Sequence, residues 1–243
     1  MHIPNGFLDP KVSTGTAFAA AGVIGYCIAK VRQALSSAVP EAVFASMGNI
    51  ACNVTGGSKK LISSFAENHL MRMGAVASLI FAAQMFNFPV ANGTSGHLLG
   101  GILAAIAVGP FSGAIVLSMI LTVQSLFFAD GGIMALGANI LNMAVIGTLA
   151  AYYIYYFTNK IFKNKFGFYA GIFMAAFFSV ISASIACAFE VAMSGTIELS
   201  KILPAMASVH ARIGIAEALI TIMAVEILKN VKFDLDGEVK DEE

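Results

Sequence analysis

Long apolar runs recur along this chain with almost no charge inside them. Residues 13–31, 72–91, 112–129, 133–158, 168–192 and 203–229 each approach or exceed the roughly 20 residues that cross a bilayer as a helix, and 97–110 forms a shorter seventh run. Inside lipid every backbone N–H and C=O must be satisfied within the protein, so spans of this length are helices. The expected fold is therefore all-α: a polytopic membrane protein of about seven transmembrane helices. Only 12% of residues are charged, about half the share in a soluble domain. The formal net charge is zero, so no nucleic-acid partner is expected. Residues 1–10 lack a basic stretch followed by an apolar core and do not read as a cleavable leader.

The cations orient the spans. Lys30, Arg32, Lys59, Lys60, Arg72, Lys160, Lys163, Lys165, Lys229, Lys232 and Lys240 fall on one side if there are seven spans. Only Lys11 and Lys201 fall on the other, with Arg212 inside a run. Basic residues gather in the cytoplasm, so the N-terminus is expected outside and the C-terminus in the cytoplasm of a multi-pass cell-membrane protein. One transmembrane domain, 1–232, is expected, with an acidic cytoplasmic tail at 233–243. Residues 33–71 read as a long cytoplasmic loop. Within it, Val39 to Asn53 suggests a short amphipathic helix, and Thr55-Gly56-Gly57-Ser58 reads as a turn. Cys27, Cys52 and Cys187 lie far apart without metal-type spacing, and Cys27 and Cys187 read as packing residues.

The chain opens Met1-His2. The α-amine of Met1, the amide of His2 and the imidazole of His2 can close a five-membered and a six-membered ring around one metal. The amide must lose its proton, which Ni²⁺ and Cu²⁺ promote well and Zn²⁺ poorly. Three nitrogens in a plane leave one square-planar position for another imidazole, a geometry that suits Ni²⁺ or Cu²⁺. Free imidazole and α-amine titrate near 6.5 and 7.7–8.0, so affinity is expected to fall steeply between about pH 8 and 5.

A second imidazole is available at the same expected face. In Gly93-Thr94-Ser95-Gly96-His97, Ser95 or Thr94 can cap a helix starting near His97, whose ring then sits in the first helical turn and is kept neutral. Asp130, Asn139 and Asn142, with Gln84 and Asn87 at the end of the second run, are polar groups near that face. Together with Ser95 they are expected to orient the ligands. Glu190, His210, Arg212 and Glu217 are ionisable groups within the last two runs. Such groups face the protein interior and pair, and Arg212 is expected to brace Glu190 or Glu217. His69 falls in the cytoplasmic loop without an assigned role.

Four blocks in order resemble the CbiM/NikM family, the substrate-specific components of energy-coupling-factor (ECF) transporters for cobalt and nickel. They are the opening Met1 to Leu8, similar to the family's MHIPDGFL; FAAQMFNFPVANGTSGHLLGG at 81–101; DGGIMALGANILNM at 130–143; and HARIGIAEALIT at 210–221. The resemblance covers nearly all of the chain except 33–70 and the tail. It implies a seven-helix fold and Ni²⁺ or Co²⁺ held by Met1, His2 and His97. It also implies a transmembrane coupling subunit, two ATP-binding-cassette ATPase subunits and, in some members, a small accessory membrane subunit. The small-residue first helix is expected to meet the coupling subunit, with Ala17, Ala21 and Gly25 as contacts. Asn5 stands where the family has Asp, and the first cytoplasmic loop is longer.

The leading expectation is a metal-capture subunit for Ni²⁺ or Co²⁺ uptake, with planarity leaning toward nickel. The alternative is a secondary transition-metal transporter working alone. No nucleophile–base pattern or phosphate loop appears, so the chain is not expected to be an enzyme. A planar site filled by four nitrogens lacks the open position a catalytic metal needs. No resident cofactor is expected; the metal is the transported substrate.

Overall fold

The computed structural model of the 243-residue chain describes residues 1–47, 54–86, 88–89, 95–231 and 233. Seven helices follow an extended N-terminal segment: α1 (Pro10–Met47), α2 (Val54–Gln84), α3 (Gly101–Val108), α4 (Pro110–Phe127), α5 (Leu136–Ile161), α6 (Lys165–Met193) and α7 (Leu199–Asn230). Phe88–Pro89 and Ser95–Gly96 make a minimal antiparallel pair ahead of α3. Among the described residues, four helices are long and apolar enough to cross a membrane: α1 over Pro10–Ser36, α4, α5 and α6.

The core is built around the shortest helix. All eight residues of α3 are buried, and it touches α2, α4, α5, α6 and α7. Eight residues rise only about 12 Å, well short of the roughly 30 Å hydrocarbon layer. The helix ends at Gly109, whose φ of 84° suits glycine, and Pro110 opens α4 at a position where no backbone N–H is needed. Close approach is obligatory at Gly101, where a β-carbon would collide with the Gly147 carbonyl oxygen. Gly147 lies in Ile140–Ala150, a stretch of α5 wound as a π-helix.

The loop expected at 33–71 is largely helix. α1 runs on to Met47 without a separate amphipathic helix, and α2 begins at Val54, so Thr55 to Ser58 are helical rather than a turn. Loss of apolarity marks where a bilayer would end. A helix can project polar turns past that point, and two glycines cost it only about 1 kcal/mol each relative to alanine. Residues 48–53, which include Cys52, and the tail after Phe233 lie outside the described residues.

Helix direction alternates so that one end of the bundle gathers the N-terminal segment, the C-termini of α2, α4 and α6, and the N-termini of α3, α5 and α7. The other end carries Lys30, Arg32, Arg72, Lys160, Lys163, Lys165 and Lys229. There Lys229 Nζ lies 3.6 Å from the Phe168 ring centroid.

Candidate metal centre

The N-terminus is the most deeply seated part of the first end. Met1 and Ile3 are fully buried and His2 is 3% exposed. An extended segment has unpaired backbone groups on both edges, and distant side chains supply the partners. Ile3 N–H donates to Asn139 Oδ1 at 2.8 Å, while Asn139 Nδ2 donates to the Ile3 carbonyl at 3.3 Å. Gly132 N–H donates to the same carbonyl at 2.8 Å. Asn5 Oδ1 accepts from Met134 N–H at 3.1 Å. The His2 ring lies against Gly131, which has a φ of 90° and where a β-carbon would sit 2.8 Å from His2 Nδ1. A side chain there would drive His2 from its seat.

His97 meets His2 from the other direction. Its ring is fully buried and stacks on His2, with centroids 4.6 Å apart and planes inclined by 27°. His97 Nδ1 lies 2.6 Å from the Leu98 carbonyl, which can only accept. Nδ1 therefore carries the proton, and Nε2 presents a bare lone pair with no hydrogen-bond partner. His2 Nε2 also lacks a hydrogen bond, with Asp130 Oδ2 3.6 Å away. Two nearly parallel rings at this separation cannot aim in-plane lone pairs at one ion about 2 Å from each, so shared coordination requires one ring to turn.

His97 is not in the first turn of a helix, as its sequence context suggested. Helix α3 starts four residues later, after Gly100 in a left-handed conformation. The N–H groups of Leu99 and Gly100 donate to Glu217 at 2.8 and 2.6 Å. The carboxylate from α7 thus binds the backbone just ahead of α3, and the N-cap is Gly100, without a side-chain cap, rather than Ser95 or Thr94. Gln84 Nε2 holds the Leu99 carbonyl at 2.7 Å and its Oε1 accepts from Gln124 at 3.0 Å. Asn142 Nδ2 donates to Glu190 at 2.6 Å.

The expected Arg212 brace is absent. Arg212 is exposed, and its Nε lies 3.4 Å from the Ser208 carbonyl. Arg212 and Glu217 are five residues apart, about 140° around a helix, so they face different ways. Both carboxylates are engaged by amide donors instead. Asn87 and the Ser95 side chain lie outside the described residues.

Burial sets the protonation of the N-terminal donors. The Met1 amine is lowered to about 5, chiefly because burial disfavours its charged form. Burial also pushes the His2 imidazole well below its ordinary value, helped by the nearby amine. Both groups are neutral at pH 7 with lone pairs available. Sequence reasoning gave His210 no part in this centre. It is fully buried on α7, with Nδ1 2.8 Å from the Met206 carbonyl and Nε2 without a hydrogen-bond partner. Its place in the HARIGIAEALIT block was the available signal. Among the described residues no three His, Cys, Asp or Glu side chains converge as a metal site. What the structure brings together is two stacked imidazoles beside the buried Met1.

A helical membrane bundle with two unpartnered imidazoles buried at one end defines the class, and solved proteins share its fold. The fold superposes with a TM-score of 0.75 on a structure titled "Crystal Structure of an transition metal transporter", at 27% identity, covering 96% of this chain and 95% of that one. The profile of the CbiM family, "Cobalt uptake substrate-specific transmembrane region", matches residues 37–235. The chain is 35% identical over 97% of its length to the "Putative fused nickel transport protein NikMN" of Archaeoglobus fulgidus, and covers 68% of that protein. It is 29% identical to the "Cobalt transport protein CbiM" of Thermosipho melanesiensis, over 66% of this chain and 69% of that one. This chain belongs to the CbiM/NikM family of nickel and cobalt transport membrane proteins.

Proposed function

We propose that the chain is the metal-binding membrane subunit of an ATP-driven ECF transporter importing Ni²⁺ or Co²⁺, with the ion chelated by the Met1 amine, the His2 amide and imidazole, and His97. The observation that carries this reading is the burial of Met1, His2 and His97 together, with both imidazole Nε2 atoms lacking a hydrogen-bond partner. Burial of neutral donors is costly without compensation, and a metal supplies it. The His2 ring turns so that Nδ1 closes the chelate and Nε2–H points to Asp130, an arrangement that raises ligand basicity. Asn139 fixes the backbone on the far side of the His2 amide.

The chain performs no catalysis and holds no resident cofactor. ATP hydrolysis falls to two ATP-binding-cassette subunits acting through a transmembrane coupling subunit, with a small accessory membrane subunit in some assemblies. Ala17, Ala21 and Gly25 are exposed along α1; the Ala17 backbone also packs on Gly137 of α5, while nothing lies within 4 Å of a β-carbon built on Gly25, so the stretch from Ala21 to Gly25 is the part open to the coupling subunit. The metal end faces outward and the lysine-rich end faces the cytoplasm.

Titration of the purified chain with Ni²⁺ and with Co²⁺ tests the capture role. About one ion per chain and a yellow diamagnetic nickel form are expected; no stoichiometric binding overturns the reading. Reconstitution without ATPase subunits separates the alternative, because sustained gradient-driven flux would make the chain a transporter working alone.

A further inference from the structure

A cavity lies at the opposite end from the metal centre. It has a volume of about 280 Å³ and opens between α1, α2 and the α3–α4 junction. Its charged wall is cationic: Lys30 and Arg72 line it, and among the described residues lining it there is no Asp or Glu. The rest is mainly apolar, including Val31, Leu35 and Phe111. His69, expected in a solvated loop, is buried at its edge, with Nε2 2.9 Å from Ser112 Oγ. The N-terminus of α4 opens into the same space after Gly109 and Pro110, without a side-chain cap. Its first free N–H groups add partial positive charge.

We propose that this cavity is a binding site for an anionic phospholipid of the cytoplasmic leaflet. The phosphate sits between Lys30, Arg72 and the start of α4, and an acyl chain lies along Val31, Leu35 and Phe111. Three observations select this occupant. The cavity combines cations with apolar wall, which suits an amphiphile and not a free ion. Its depth matches: Lys30 lies twenty residues along α1 from Pro10, about 30 Å, one hydrocarbon thickness from the metal end. The adjoining α1 is largely uncovered, with 17% of its most apolar window buried, so lipid has lateral access. Basic pockets between helices at the cytoplasmic leaflet attract anionic head groups. The inference rests on the membrane-spanning fold and is independent of the metal assignment.

The test is native mass spectrometry of the delipidated full-length chain, titrated with phosphatidylglycerol, phosphatidylcholine or inorganic phosphate. Phosphatidylglycerol should bind at least tenfold more tightly than phosphatidylcholine. Lys30→Gln with Arg72→Gln should erase that preference while leaving a monodisperse protein with an unchanged unfolding temperature. Should the double variant not fold, Leu35→Glu, which places a carboxylate on the apolar wall, should erase the preference. Lys30→Arg with Arg72→Lys should keep it. Equal retention of the two lipids, or a preference that survives both Leu35→Glu and the charge removal in folded protein, overturns the proposal. Displacement of phosphatidylglycerol by millimolar inorganic phosphate overturns it too, since the cavity would then be a free-anion site.

Discussion

The two segments that carry the paired imidazoles are both non-helical, yet they are held by opposite chemistry. The N-terminal segment exposes a donor and an acceptor on one residue, Ile3, and its partner is a neutral carboxamide, Asn139, which offers one of each. The 97–100 link exposes two donors in a row at a helix start, and its partner is a carboxylate, Glu217, which offers two acceptors. In each case the unpaired backbone groups select the side chain. The backbone of the N-terminal segment is held by a neutral side chain, with the Asp130 carboxylate lying beside the His2 ring, whereas the 97–100 backbone is held by a carboxylate directly.

The largest expected effect breaks the N-terminal half. One added residue before Met1, or acetylation of its amine, removes a proposed ligand and disturbs a residue with no exposed surface. Nickel affinity should fall by more than about 100-fold, beyond the 10–100-fold typical of losing an outer partner. Undiminished titration by a verified extended chain would refute the chelate.

Breaking the other half is next. His97→Ala should reduce metal uptake to background, while His69→Ala should leave uptake by folded protein within about twofold, since His69 is remote from the proposed ligands. His69 bonds to Ser112 at the far end of the bundle. Equal losses in a cellular uptake assay would mean the two ends have been assigned wrongly.

The holders come third. Asn139→Ala leaves the buried Ile3 N–H without its partner, at about 1–3 kcal/mol, and should weaken metal binding by about 10–100-fold. Glu217→Gln keeps one acceptor oxygen and loses the other, so a lower unfolding temperature is expected with a smaller change in affinity. If Glu217→Gln weakened metal binding more than Asn139→Ala, the division of labour drawn above would be reversed.

These residues also show how far the sequence can be read. Membrane class and helix number follow from apolar runs because hydrocarbon thickness imposes them. The proposed ligands Met1, His2 and His97 stand out in the sequence because Met1-His2 can form a local chelate and His97 lies in a family block; the structure buries all three and stacks the two imidazoles. Helix starts were not legible where a distant residue sets them: Glu217 acts on Leu99 across 118 positions. The Arg212 pairing failed because helix phase outranks charge complementarity. His69 was misplaced because the polarity of 33–71 conceals a helix that carries it back into the core.

Protonation sharpens the comparison with a smaller effect. The seated amine titrates at about 5, against 8.0 for an unperturbed amine. Between those values a released amine binds a proton and the seated one does not, so seating strengthens as pH rises from 5 to 8 and weakens as it falls. At pH 7 the seated amine and the His2 imidazole are already neutral, leaving the His2 amide as the proton source on binding. Calorimetry in buffers of different ionisation enthalpy should count about one proton, and affinity should change about tenfold per pH unit. This slope is shallower than free amine and imidazole values imply. A count near zero would remove the amide from the ligand set; a count of two or more would mean the amine is not seated as described.

The smallest effect concerns Asn5, where the resemblance of the opening to MHIPDGFL implies an Asp in the family. Asn5 accepts one hydrogen bond from Met134 N–H through Oδ1, and a carboxylate oxygen can accept the same bond. The position is exposed, unlike Met1, His2 and Ile3 beside it. Its added charge would act on the bound cation through water, where opposite charges gain little. Asn5→Asp should therefore change nickel affinity by no more than about twofold to threefold, near the 0.5 kcal/mol usual for surface substitutions. The change should be toward tighter binding and should fade with added salt, because it is electrostatic. A tenfold or larger gain that persists at high salt would place residue 5 among the groups contacting the metal. The N-terminal segment would then resemble the 97–100 link more closely, with a charge of its own in the site.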